Sequence, residues 1–218
     1  MTFTRDNPSP RYAALIEQYR RLHANGEVNL GLSAETTYSG VSLFPHITTI
    51  KSLIDETGSN TILDYGCGKG IGYELPSVEA PGVGKVGPLM DYWNVDYVQC
   101  YDPCYPVYAR RPEEVFDGVV CTDVLEHCPE EDLDWIVTDL FSYARRFVFA
   151  AVACYPAKTH LPNGENAHCT VQPSRWWREV FLRIAGGSAI RWQVIAQEFV
   201  PDSSGTPAMC HIQIDGNG

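Results

Sequence analysis

Basic residues are scarce in this chain. Sixteen lysines and arginines stand against 27 aspartates and glutamates, a formal charge of −11. Polyphosphate backbones are held by clustered Lys and Arg, whereas Arg20-Arg21, Arg110-Arg111 and Arg145-Arg146 are only pairs, read as helix ends or solvated faces. The charge speaks against nucleic acid and fits small molecules, sugars or a basic protein site better. Long apolar runs are also missing. None approaches the roughly 20 residues that span a bilayer, so no membrane partner is expected. The N-terminal stretch lacks the basic-then-apolar pattern of a signal peptide, and a cytoplasmic protein is expected. Among eight cysteines there is no Cys-x-x-Cys. Cys100 and Cys104 lie four apart, and strand alternation would not hold them in a zinc geometry. Cys67, Cys100, Cys121 and Cys154 sit in or beside apolar strand-like runs, where cysteine behaves as a small hydrophobe. Reduced, mostly buried thiols and no metal are expected.

What is present reads as one domain over residues 1–218, with an N-terminal helical cap (1–57) and a core (58–218). Tyr12, Leu15, Ile16, Tyr19 and Leu22 have helical spacing over 11–23, with Ser9 as cap, Pro10 as first residue and Asn25-Gly26 as stop. A loop of small polar residues runs to Gly40. A second helix over 45–56 would bury Ile47, Ile50, Leu53 and Ile54. Strands are predicted at 61–65, 97–101, 116–122 and 147–153, the last unbroken apolar as a strand covered on both faces should be. A helix should start at 69–75, where Pro76 and a Gly/Pro-rich run interrupt it. Helix 129–144 has Pro129 first, acids in its first turn and Arg145-Arg146 at its end, all favourable to the helix dipole. Its buried stripe is Leu133, Ile136, Val137, Leu140 and Phe141. Helix 174–185 would bury Trp177, Val180, Phe181 and Ile184, with Trp176 either half-exposed or flooring a pocket. Strands 189–199 and 208–214, joined by a short link, should pair antiparallel. The whole describes a doubly wound α/β sheet.

The most informative stretch is Thr61-Ile62-Leu63-Asp64-Tyr65-Gly66-Cys67-Gly68-Lys69-Gly70, a strand running into an acid and then a turn with glycine at alternate positions. Such a turn leaves the backbone bare enough for a ligand to touch it. A dinucleotide fingerprint needs Gly-x-Gly-x-x-Gly. Ile71 and Tyr73 stand where its third glycine would fall, so that reading fails. The stretch resembles the first motif of class I S-adenosylmethionine (SAM)-dependent methyltransferases: hydrophobic residues, an acid, then Gly-x-Gly-x-Gly. Phe116 to His127, ending in Leu125-Glu126-His127, resembles the same family's segment around its fourth strand. The motif resemblance covers about residues 60–150, the rest only by architecture.

The resemblance implies a Rossmann-like, mostly parallel sheet with an antiparallel last strand, SAM as donor and S-adenosyl-L-homocysteine as product. It also implies roles. Gly66, Cys67, Gly68 and Gly70 would follow the first strand, their exposed N–H groups and the next helix N-terminus suiting the methionyl carboxylate. Asp64 would orient that loop or meet the amino group, directly or through water, with capping of the turn as the alternative. Asp102 would take the ribose hydroxyls, since a carboxylate can accept both, with capping of the turn before Pro103 as the alternative. Thr122 and Asp123 would face the donor. One departure matters: only thirteen residues lie between Asp102 and Phe116. The third strand of the usual fold is therefore predicted missing, leaving six strands and the adenine contact unassigned, with Pro103 and Tyr105 nearest.

For catalysis the candidates are His168, His127 and Asp123. His168 lies in a loop after the fifth core strand that also carries Lys158, His160, Asn163, Glu165 and Asn166, and imidazole titrates near neutral pH. His127 is open to a structural or a catalytic role, and Asp117 reads as a strand-start residue. A metal-assisted version through Asp123 is not demanded by any ligand spacing. The expectation is methyl transfer to oxygen or nitrogen of a small-molecule or sugar acceptor. The rivals are a SAM- or nucleotide-binding regulator without transfer, and a protein or nucleic-acid methyltransferase. Oligomeric state is not legible.

Overall fold

The computed structural model describes residues 2–27 and 30–217. Met1 and Gly218 of the expected domain lie outside the described residues, as do Val28 and Asn29 of the loop expected before Gly40. Helix α1 (Pro10–Asn25) starts where its cap predicts: the Ser9 hydroxyl accepts from the Tyr12 N–H at 3.0 Å. Such a cap is worth about 1 kcal/mol. The same Ser9 is tied to the buried Asp132 carboxylate through its N–H at 2.9 Å and its hydroxyl. A 3₁₀ turn, Val41–His46, precedes helix α2 (Ile47–Thr57), so the helix predicted from 45 begins two residues later. Pro45 lacks the N–H that an α-helix would use there.

Strand β1 (Thr61–Tyr65) is followed not by a helix but by a three-residue 3₁₀ turn, Ile71–Tyr73. The Gly/Pro-rich run then folds into an antiparallel hairpin, β2 (Val78–Ala80) and β3 (Gly84–Val86), and a short helix α3 (Leu89–Trp93). Strands β4 (Tyr97–Tyr101) and β5 (Phe116–Thr122) match the sequence reading, and residues 102–115 between them contain no strand. Helix α4 (Leu133–Tyr143) is preceded by a 3₁₀ turn over Glu130–Asp132 and ends before the arginine pair. Arg145 and Arg146 belong instead to β6 (Ala144–Ala153), correcting their placement at a helix end. Helix α5 (Ser174–Ala185) has its predicted bounds. Trp177 is core, whereas Phe141, Trp176 and Ile184 are half-buried. Of the final strands, β7 (Arg191–Pro201) has the predicted length but lies two residues later, and β8 (Pro207–Asn217) is longer than predicted.

Six strands form one sheet in the order β4-β1-β5-β6-β7-β8, parallel except for the antiparallel β8. The architecture is the expected Rossmann-like α/β fold with the third strand absent. Alternation of side chains divides the core between two faces. Leu63, Val119, Cys121, Val148 and Val194 pack against α4 and α5 on one face. Ile62, Val120, Phe147 and Phe149 pack against α2 and α3 on the other. From β1 the chain steps outward to β4, and from β5 it steps the opposite way to β6. The reversal lies between β1 and β5, and crevices at such points take ligands in open α/β sheets.

Candidate functional site

The crevice at the carboxyl ends of β1, β4 and β5 is a cleft roofed by α1. It holds about 810 Å³ of space free of protein atoms, its open mouth included. Gly66 and Gly68 line it after β1, Asp102 and Pro103 after β4, and Thr122, Asp123 and His127 after β5. The roof adds Tyr12, Ile16, Tyr19 and His23, and the segment after α1 adds Tyr38 and Ser42. None of these last six carried a motif. Of the residues expected to bind a cofactor, Asp64, Cys67 and Gly70 do not line the cleft.

The glycine loop departs from its expected role. Its N–H groups are used within the protein: Gly66 and Cys67 donate to the Tyr101 carbonyl at 2.7 and 3.2 Å, and Gly68 donates to Asp102 Oδ2 at 3.0 Å. Lys69 and Ile71 donate to the carbonyls of Tyr38 and Ser39 at 2.9 and 3.1 Å, and Gly70 to that of Cys67 at 3.0 Å. With only a three-residue 3₁₀ turn following, no helix N-terminus faces the cleft at this loop. The glycines serve contact between two backbones instead. A Cβ on Gly68 would sit 2.2 Å from the Tyr38 carbonyl oxygen, and one on Gly40 would sit 2.6 Å from that of Cys67. Residues 37–40 thus form a strap lying on the loop.

Asp102 is buried, with Oδ1 accepting from the Cys104 N–H at 2.7 Å and Oδ2 from Gly68. Both oxygens therefore cap turns, and each keeps a further lone pair. Burial pushes its ionisation up to about 6, against the backbone N–H groups of Cys104, Gly68 and Tyr105 and the charge of Lys69, which all lower it. Asp64 is fully enclosed beneath the loop. Oδ2 accepts from the Tyr73 hydroxyl at 2.9 Å, Oδ1 has no partner, and burial raises its ionisation to about 7. The Lys69 ammonium donates to the Thr37 carbonyl at 2.6 Å and lies 3.2 Å from His23 Nδ1. Burial and then Lys69 lower His23 to about 4, so its ring is neutral.

At the end of β5, Asp123 takes a left-handed backbone (φ 54) and lines the cleft, and its Oδ1 accepts from Gln197 Nε2 at 3.2 Å. Uncommon non-glycine conformations of this kind cluster at functional sites. Burial raises Asp123 to about 6. Thr122 is held by Ser42, whose hydroxyl donates to its carbonyl at 3.2 Å. Glu126 is wholly buried, with Oε1 on the Ala153 N–H at 2.7 Å and its ionisation pushed well up by burial.

The two histidines stand edge to face, ring centres 4.8 Å apart. His127 Nδ1 lies 3.0 Å from both the Ala167 carbonyl and the Tyr19 hydroxyl, and that hydroxyl donates to the same carbonyl at 2.6 Å. A carbonyl only accepts, so Nδ1 carries the proton and Nε2 keeps its lone pair. Burial, then the neighbouring His168, lower His127 to about 3, and the Ala167 carbonyl opposes them. His168 is tied by Nδ1 to the Tyr155 carbonyl at 2.6 Å and does not line the cleft. Of the candidate bases, His168 therefore stands one ring behind the cleft wall, and His127 occupies the wall. Asp117 is a strand-start residue as read, accepting from the N–H groups of Asn60 and Thr61 at 2.9 and 3.3 Å. All eight cysteines are free, with Cys67 and Cys121 buried and Cys100 and Cys154 half-buried.

No protein-family model matches the sequence, and no curated protein matches it. Among the described residues, no helix is long and apolar enough to cross a membrane.

Proposed function

We propose that the protein is a SAM-dependent methyltransferase acting on the oxygen or nitrogen of a small molecule or sugar. The observation that carries this reading is the convergence of Gly66, Gly68, Asp102, Thr122, Asp123 and His127, from three strand ends, on one cleft at the switch point. The fit is to the nucleoside portion of the donor. Asp102 keeps acceptor capacity beside the glycine turn, and the Tyr38 hydroxyl is buried in the cleft wall without a partner. When bound, SAM supplies a sulfonium-activated methyl group that an acceptor attacks in line. The protein's share is alignment and exclusion of water. Helix α1 roofs the cleft, Asp102 and Pro103 would hold the nucleoside side, and Thr122 and Asp123 would face the reacting end. Nε2 of His127, neutral and carrying a lone pair, takes the proton of a hydroxyl acceptor. The negative charge of the chain supports an acceptor other than nucleic acid, and a cytoplasmic setting goes with this reading.

One observation favours a second reading, a nucleoside-binding protein that transfers nothing. The loop N–H groups that would meet the amino-acid carboxylate of SAM are all bonded within the chain. Labelled methyl transfer from SAM into host extract, fractionated into small molecules, glycans, proteins and nucleic acids, separates the two. Label in the small-molecule or glycan fraction is expected. Binding of SAM with no label in any fraction sustains the second reading and overturns the first.

A further inference from the structure

The strap over the glycine loop ends in a side chain that the fold itself leaves incomplete. Tyr38 has φ 50, a left-handed backbone rare for a bulky residue. That conformation is held by its carbonyl, which accepts from the Lys69 N–H at 2.9 Å against the bare face of Gly68. Lys69 fastens the strap a second time, through its ammonium on the Thr37 carbonyl at 2.6 Å. The effect is to deliver the Tyr38 ring into the cleft wall, with ring centres 5.8 Å from Tyr19, 5.2 Å from His23 and 6.1 Å from His127. Its hydroxyl is buried there and makes no hydrogen bond. An unpaired buried hydroxyl is unfavourable, and strained backbone persists where the surroundings over-determine it.

We propose that Tyr38 is a ligand-binding residue whose hydroxyl completes its hydrogen bonding with the ribose of a bound nucleoside, beside the Asp102 carboxylate. The proposal rests on the SAM reading for the identity of that nucleoside. The glycine loop then acts at one remove: it grips the strap, and the strap presents the tyrosine. Tyr38 and Asp102 line the same cleft, and burial above all, then Glu27, Cys104 and Asp102, keep the phenol protonated and thus a donor. Asp102, an acceptor only, accepts a hydrogen bond from one ribose hydroxyl, and Tyr38 donates one to a ribose oxygen. The two groups are complementary on a vicinal diol.

Tyr38→Phe removes the hydroxyl alone and separates a binding role from a structural one. S-adenosylhomocysteine is titrated calorimetrically into wild type and variant, and thermal unfolding of both is followed without ligand. The expected result is an affinity loss of about three- to tenfold, the size of one neutral hydrogen bond, with an unliganded melting temperature unchanged or raised. The loss should shrink when 2′-deoxy- and 3′-deoxyadenosine are compared with adenosine, for whichever deoxy analogue lacks the contacted oxygen. Equal affinity of the two proteins for S-adenosylhomocysteine overturns the proposal, as does a lowered melting temperature with unchanged adenosine affinity. Failure of wild type to bind S-adenosylhomocysteine while binding adenosine overturns the SAM reading and leaves Tyr38 to be judged on adenosine. Failure to bind either overturns both.

Discussion

Single residues in and beneath this cleft are governed by burial. Asp64 is the plainest case, enclosed, with one oxygen unpartnered and its ionisation raised to about 7. Because that value lies above the ordinary one, the folded protein keeps a proton that the unfolded chain releases between about pH 4 and 7. Its contribution to stability therefore falls as pH rises through that window. Asp64→Asn keeps an acceptor for Tyr73 and carries no charge. Urea unfolding should find it more stable than wild type at pH 8 by on the order of 2 kcal/mol, the gap closing toward pH 4. A gap independent of pH contradicts this account of Asp64. The histidines give a kinetic counterpart. His127→Ala should slow transfer to a hydroxyl acceptor by roughly 10²–10⁴-fold with affinity for SAM nearly intact, and His168→Ala should slow it less. The reverse order in kcat would move the base back to His168. Asp102, Thr122 and Asp123 were legible in the sequence because each closes an apolar run that reads as a strand. Tyr19, His23 and Tyr38 were not, since they meet residues up to 148 positions away through the fold of α1 and the strap.

At the scale of elements, the N-terminal layer is bolted down at several points, and each bolt predicts a loss. The Ser9 hydroxyl both caps α1 and reaches Asp132, so Ser9→Ala should lower stability by about 1–2 kcal/mol. Gly68→Ala would set a Cβ against the Tyr38 carbonyl at a positive φ of 58. It should cost roughly 1–3 kcal/mol and weaken S-adenosylhomocysteine binding together, measured by thermal unfolding and calorimetry. Unchanged stability would mean that the strap does not rest on the loop as described. Elements with strong periodicity, α1, α4 and α5, could be read from the sequence. The hairpin of β2 and β3 could not: three-residue strands give too little alternation, and Pro81-Gly82 reads equally as a helix breaker or a turn. Arg145-Arg146 misled through the dipole argument. Arg146 in fact reaches the Thr57 carbonyl at 2.6 Å and Asp117 at 3.4 Å from the start of β6.

The whole molecule is a doubly wound sheet short of one strand, with a helix and a strap laid across its binding edge. The missing strand was legible because thirteen residues cannot hold a helix, a strand and a second helix. What covers the cleft in this fold was not, because the cover comes from the other end of the chain. The central claim is that this cleft binds SAM. Calorimetric titration of the protein with SAM and S-adenosylhomocysteine, beside Asp102→Ala, tests it most directly. The account predicts one site for each ligand in wild type and a large loss of affinity in the variant. No binding of either ligand to a folded wild-type protein would contradict it.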